Sequence, residues 1–391
     1  MAERPDLPRG NWPAPTNIRF GVGRIAELPE ACRSLGMRAP LLVTDAGLAT
    51  LPIVRDVLAA NDRAGLPTGL FGGVRSNPVA GNVSDGVAAY RAASHDGIIA
   101  MGGGSALDTG KTIALMVGQT RPLWDFVWGK PEPTDANLAG IAPVVTVPTT
   151  AGTGSEVEAG AVITDEATQT KEIIAHPGMK AGIVIGDPAL TVGLPKHLTA
   201  ATGMDALSHC LEAYCVPDYD PMADGMALEG MRLIAEWLPT AVSDGSNLAA
   251  RSEMLAAAMI GAAAFRKGLG AMHALSHPIG AMYDTHHGLT NAVLMPYVLK
   301  FNRPAIDEKM RRLGCFLGLE KASFDAVLDW VLRLRQALGI PHTLAAIGVD
   351  DRRLDEIARK AAADGNAPTN PVPVGSQELQ RILTNSLHGV L

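Results

Sequence analysis

Residues 203–287 hold an unusual spacing of potential metal ligands. Asp205 and His209 stand four apart, His273 and His277 again four apart, and the adjacent pair His286 and His287 is followed by Gly288. On an α-helix, residues at i and i+4 share a face, so each pair would aim its two side chains at one point. A fold that uses this pattern has to bring two distant helices and a third segment together. One carboxylate with several imidazoles suits iron(II) or zinc, because borderline ions take nitrogen readily and a single negative charge leaves the metal electrophilic. Spacing alone leaves His209, His273, His277, His286 and His287 all open as ligands beside Asp205. Each of them taken singly is equally well a capping or core residue.

The first half of the chain reads differently. Short apolar runs at 41–44, 69–74, 97–101 and 142–147 are bounded by turn residues, with helical spacing between them at 53–60, 83–93 and around Asp108 and Lys111. Further strands are expected at 162–164 and 182–185. Strand and helix in alternation argue for a doubly wound parallel sheet. Beyond the prolines at 188 and 195, Ala, Leu and Met recur at helical period over 198–214, 222–241, 249–264 and 310–337, and again over 354–362 and 377–387. The expected division is an α/β domain at 1–194 and an all-α domain at 195–391, since a chain of 391 residues is too long for one ordinary core.

Composition narrows the partners. Hydrophobic residues at 47% and charged ones at 19% describe a folded globular chain. With a net charge of −7 and no run of like charges, neither a nucleic acid nor a membrane is an expected partner, which leaves a small metabolite. Cys32, Cys210, Cys215 and Cys315 form no CxxC pair, and reduced thiols in a cytoplasmic protein are the simplest reading. The N-terminal residues carry no apolar signal segment, and no stretch approaches about twenty uninterrupted apolar residues.

Gly102, Gly103, Gly104 and Ser105 stand where a strand gives way to a helix. Backbone N–H groups and the positive end of the helix dipole could hold a pyrophosphate there. The GxGxxG fingerprint is not met, because Leu107 occupies its third glycine position. The loop from Thr149 to Ser155 follows the next strand and would lie on the same carboxyl edge, where ligands of open α/β sheets bind. Asp45, ending the first of these strands, could bind the adenosine ribose and repel a 2′-phosphate, or could be a turn residue. Lys171 is placed in a polar loop, and Trp124 to Trp128 on a helix packed on the core.

The segments 102–111, 148–157, 201–209 and 273–280, with His287 and Gly288, together resemble the iron-containing (group III) alcohol dehydrogenase family, in the family's order and across both halves of the chain. The resemblance implies a Rossmann-like nucleotide-binding α/β domain followed by an all-α domain, in a dehydroquinate synthase-like architecture, with a divalent metal in the cleft between them. It implies Asp205, His209, His273 and His287 as ligands and places His277 near the metal without ligating it. Asp45 is implied at the ribose and Gly102, Gly103, Gly104, Ser105 and Asp108 at the pyrophosphate. Thr146, Thr149, Ser155, Lys171 and Leu190 are implied around the rest of the cofactor.

The implied cofactors are NAD and Fe2+, with Zn2+, Mn2+, Ni2+ or Co2+ as alternatives, and the implied assembly is a homodimer or larger homo-oligomer. The implied activity is reversible hydride transfer between NAD and a small primary alcohol, diol or hydroxy acid; His277, from its i+4 spacing to His273, is further expected to relay a proton. A polyol dehydrogenase or a dehydroquinate synthase-like zinc enzyme is the alternative among enzymes, and a non-catalytic NAD- or metal-binding assembly protein the alternative outside them. Arg266 and Lys267 stand where many diol-type members have a small polar residue. Pointing inward they would favour an acidic aldehyde, but both are expected on the surface.

Overall fold

The computed structural model describes residues 10–12, 16–130 and 136–391. The chain divides into two compact units, one running to residue 150 and resuming over 155–193, the other comprising 151–154 and 194–391.

The first unit contains β1 (Gly10–Trp12), β2 (Ile18–Phe20), α1 (Leu28–Ser34), β3 (Leu41–Asp45), α2 (Pro52–Arg63), β4 (Gly69–Val74), α3 (Ala80–Ala92), β5 (Ile98–Gly102), α4 (Gly104–Met116), β6 (Val144–Pro148), β7 (Gly160–Asp165), β8 (Thr170–Ala175) and β9 (Ile183–Gly186). Seven of these strands form one sheet in the order β1-β2-β9-β6-β5-β3-β4, parallel throughout except for β1 on its edge. Every residue of β5 and β6 is buried. A parallel strand covered on both faces requires this, and it is why those runs read as continuous rather than alternating apolar sequence.

The topology fixes where a ligand can sit. From β3 the chain steps outward to β4, whereas from β5 it steps the other way to β6, so the winding reverses between the adjacent strands β3 and β5. Open α/β sheets bind ligands in the crevice outside the carboxyl ends at such a reversal. The residues at those ends are Asp45 and Gly102.

The strand expected at 162–164 is longer and lies outside the main sheet. As β7 it pairs antiparallel with β8 in a separate hairpin. Lys171 is therefore not in a loop but on β8, opposite Thr164. The sequence Thr170-Lys171-Glu172 has too much polarity to read as a strand. Its partner strand, rather than its own pattern, decides its conformation. Trp124 belongs to a short 3₁₀ turn, Leu123–Phe126, in which Phe126 is buried, while Trp128 beyond it is exposed.

The second unit is helical: α5 (Lys196–Cys215), α6 (Pro221–Ser243), α7 (Leu248–Ala264), α8 (Ala271–Tyr283), α9 (His287–Phe316), α10 (Phe324–Ala337), α11 (Leu354–Ala362) and α12 (Ser376–His388). All residues of α5 from Thr199 to Cys215 are buried, because α6, α7 and α9 pack around it. The helical period expected over 310–337 is broken. Helix α9 ends at Phe316, and the Ser323 hydroxyl accepts the Ala326 N–H at 3.1 Å to start α10. The segment Leu248–Lys267 is apolar and long enough to cross a membrane, yet 72% of its most apolar window is buried inside the protein, so it is a core helix.

One buried cation ties the first unit together. Lys111 on α4 is fully buried, and its ammonium donates to the carbonyls of Ser155 (2.8 Å), Glu158 (3.2 Å) and Gly160, with Asp108 3.5 Å away. Burial pushes its pKa down, and the neighbouring carboxylates oppose that shift. Lys111→Met keeps the apolar stem but strands three carbonyls and a carboxylate. It is expected to cost about 3–5 kcal/mol, read as a lowered urea midpoint. An unchanged midpoint would show that water replaces the ammonium at no cost.

Candidate metal centre

Helix α5 supplies Asp205, His209 and Glu212 from one face, α8 supplies His273 and His277, and α9 begins with His287 and carries Asn291 one turn later. One donor atom from each of Asp205, His209, His273 and His287 lies within 4.8 Å of the other three. Asp205, His209 and His273 are buried, whereas the His287 side chain keeps 24% exposure, so the cluster has a closed floor and one open side. The His209 and His273 rings stack with centroids 4.8 Å apart, and His273 and His287 are 5.3 Å apart. His286 lies outside this set: its ring nitrogen accepts the Leu289 N–H at 3.3 Å as the N-cap of α9. Helix α9 reaches α5 only because residue 288 is glycine, since a Cβ there would meet the Ala201 carbonyl oxygen at 2.4 Å and the Asp205 Cβ at 2.8 Å.

The chemistry of the donors fits a cation. The Asn291 amide nitrogen lies 2.9 Å from Asp205 Oδ1, 3.1 Å from His273 Nε2 and 3.2 Å from His287 Nε2. An amide has two hydrogens for these three acceptors. The buried Asn291 Oδ1 and His209 Nδ1 make no hydrogen bond. Acceptors thus outnumber donors in an apolar interior, where an unmatched lone pair is costly, and a divalent ion resolves that imbalance. Burial pushes the His209 imidazole down to about 4, against the pull of Asp205, so its ring is neutral and able to ligate.

Sequence reasoning missed four residues around this cluster. Glu212 accepts from His273 Nδ1 at 2.6 Å and from the backbone N–H groups of Met272 (2.7 Å) and His273 (3.3 Å). Its position, three residues after His209 and seven after Asp205 on the same helical face, was a legible signal. Asn291, four residues after His287, offered the same signal. Phe265 packs its ring against His209 with centroids 5.0 Å apart. Asp364 had no local signal, because it lies 87 residues from its partner His277, whose Nδ1 is 2.8 Å from Asp364 Oδ2. Burial raises the Asp364 carboxyl pKa, but His277 and Asn366 outweigh it and hold the group below the usual range. His277 stacks on the His287 ring at 5.5 Å without joining the four converging donors.

The two cations before His273 part company. Arg266 is exposed and bonds Asp220 at 2.9 Å. Lys267 corrects the expectation of a surface charge, for its side chain is buried and its ammonium is 2.6 Å from Asp224. Burial is tolerated here because the charge is paired.

In the first unit, Asp45 Oδ1 accepts the Leu48 N–H at 2.9 Å while Oδ2 points toward Gly102. Gly102 has φ +146°, and a Cβ there would meet Ala106 at 2.7 Å, so no other residue fits. Gly103, Gly104 and Ser105 open α4, which no side chain caps, leaving its first N–H groups for an anion. The Thr149 N–H bonds the Gly102 carbonyl at 2.9 Å, joining the two carboxyl-edge loops. Asp108 and Ser155 are bound to each other at 2.5 Å, with Asp108 also accepting the Val162 N–H at 2.9 Å. The buried Thr146 hydroxyl donates to the Glu156 carbonyl at 3.1 Å. Leu190 is half-buried against the core containing Leu28 and Ile185.

Two family models match in succession. One described as iron-containing alcohol dehydrogenase covers residues 15–188, and one described as Fe-containing alcohol dehydrogenase family, C-terminal, covers 199–387. The chain belongs to the iron-containing alcohol dehydrogenase family. It is 37% identical to the 4-hydroxybutyrate dehydrogenase of Cupriavidus necator, over 95% of this chain and 98% of the relative. It is 33% identical to the NAD-dependent methanol dehydrogenase of Bacillus methanolicus, over 96% and 100%. A crystal structure of 1,3-propanediol oxidoreductase superposes with a TM-score of 0.89 at 36% identity, covering 97% of this chain and 100% of that one. This protein is thus a metal-dependent, NAD-linked alcohol dehydrogenase.

Gly288→Ala tests the packing under the cluster. Separating α9 from α5 is expected to cost about 1–3 kcal/mol and to weaken binding of Co2+, measured by urea denaturation and by competition with a chelator. Wild-type values in both assays would mean that the helices separate freely.

Proposed function

We propose that this dehydrogenase interconverts short neutral primary alcohols or diols with their aldehydes, using a metal held by Asp205, His209, His273 and His287. The observation carrying this reading is the convergence of those four donors within 4.8 Å. Iron(II), or another divalent ion of the same class, would supply Lewis acidity toward a substrate oxygen there, and NAD would accept or return the hydride. The residues' own tasks follow from their surroundings. Three imidazoles and one carboxylate would bind the ion, while Phe265 covers the His209 ring. His277, its Nδ1 tied to Asp364, is left with Nε2 to hold and pass a proton.

Residues 1–194 act in this reading as the NAD-binding domain and 195–391 as the metal-binding domain. Asp45, Gly102, Gly103, Gly104, Ser105, Asp108, Thr146, Thr149, Ser155, Lys171 and Leu190 form the NAD site. Support comes from the sheet reversal beside Asp45 and Gly102 and from the uncapped start of α4. Neutral substrates are favoured over hydroxy acids because Arg266 and Lys267 are each committed to an aspartate, which leaves neither as a carboxylate anchor. We place the enzyme in the cytoplasm as a homodimer, with its four cysteines unpaired.

A screen of NAD+ reduction over short alcohols, diols and hydroxy acids, run before and after chelation and readdition of Fe2+, Zn2+ or Co2+, tests the proposal. Turnover is expected with alcohols or diols, lost on chelation and restored by metal. Undiminished turnover in a metal-free sample would overturn the metal reading, and activity confined to hydroxy acids would overturn the substrate class. His277→Ala is expected to keep metal and NAD binding but slow turnover by about 10²–10⁴-fold with an altered pH profile. Loss of bound metal in that variant would make His277 a ligand.

A further inference from the structure

We infer that Glu212 is a positioning residue: its carboxylate selects the Nδ1–H tautomer of His273 and directs that ring's Nε2 lone pair into the donor cluster. The inference rests on the reading of Asp205, His209, His273 and His287 as a metal site.

An ionised carboxylate accepts hydrogen bonds and cannot donate them, so a contact of 2.6 Å between Glu212 Oε2 and His273 Nδ1 puts the proton on Nδ1. The other ring nitrogen reports the same tautomer independently. Nε2 lies 3.1 Å from the Asn291 amide nitrogen, which carries hydrogens and has no lone pair to accept one, so a hydrogen on Nε2 would oppose it. Two partners on opposite sides of one ring therefore agree. The lone pair left on Nε2 points to where the donors of Asp205 and His287 also converge.

Glu212 fixes the position of this ring as well as its protonation. The N-cap of α8 is Gly270, which has no side chain to cap the helix. Glu212 takes its place from α5, accepting the N–H of Met272 and of His273, while Asn370 Oδ1 accepts the N–H of Ala271 at 3.0 Å. One carboxylate thus holds both the backbone and the imidazole of His273 and registers α8 against α5, which carries Asp205 and His209. The carboxylate also sits where the partial positive charge of the α8 N-terminus favours it. Asp205 and Glu212 bring two carboxylates to the cluster, a number that would match the charge of a divalent ion. That favours retention of the ion and tempers its acidity.

Glu212→Gln disturbs either the tautomer or the helix cap, according to which way its amide turns. The variant has one oxygen for donors that now share two. If the amide oxygen faces Met272, the amide NH2 faces His273 Nδ1 and forces the other tautomer, with a hydrogen on Nε2 where the lone pair is needed. If it faces His273, the amide NH2 opposes the Met272 N–H.

The test uses full-length protein loaded with Co2+, its affinity measured by chelator competition and its coordination by visible absorption, with circular dichroism as the check on folding. Glu212→Gln is expected to fold, to bind Co2+ about 10- to 100-fold more weakly and to shift the absorption bands. Unchanged affinity and unchanged bands in a folded variant would overturn the inference. A second measurement needs no variant: 15N spectra of histidine-labelled, zinc-loaded wild-type protein are expected to show His273 protonated at Nδ1 and ligating through Nε2. Ligation through Nδ1 would overturn the inference, and this spectrum decides the matter if the variant fails to fold. Wild-type protein that takes up neither ion would overturn the metal reading itself, a failure recognisable because it precedes any comparison with the variant.

Discussion

Lone pairs crowded into an apolar interior repel one another and forgo the hydrogen bonds that water would give them. Helix α5 nevertheless buries Asp205, His209 and Glu212 among residues with almost no exposure. Much of the helical unit exists to offset this. Asn291 bridges three acceptors, Glu212 and Asn370 cap α8 from outside it, and Asp364 steadies His277. A buried polar network of this kind is stabilising only when each member is matched, and the unmatched atoms lie on His209 and Asn291, at the cluster itself.

The α/β unit solves the opposite problem. It presents backbone donors at the start of α4, which no side chain caps. A continuous apolar sheet provides the rigid floor, and Gly102 turns the chain at an angle that side chains seldom adopt. Asp108, Lys111 and Ser155 then hold the loop after β6 from beneath, through contacts directed at each other and at carbonyls. Residues of the two glycine-bearing motifs therefore divide into some whose backbone faces outward and others whose side chains fasten the loop.

Much of this was legible in the sequence. Continuous apolar runs gave the central strands, and the i, i+4 pairs gave the helical origin of the donors, because both depend on local periodicity. What escaped depends on partners distant in the chain. Strand β8 opens on the polar run Thr170-Lys171-Glu172, whose conformation comes from pairing with β7. Lys267 looked like surface charge until Asp224 was brought beside it. Glu212 could have been found from its helical phase with Asp205 and His209, whereas Asp364 could not. Spacing left His286 as open as His287, and only the cap at the start of α9 separates them.

Lys111 carries a consequence for watching this molecule in motion. An amine wrapped in three carbonyls and shielded from solvent is chemically silent toward acylating reagents, which need an unprotonated, accessible nitrogen. Modification at that position therefore requires α4 to part from the segment 155–160, so the rate at which it accumulates is a built-in clock for the opening of that contact.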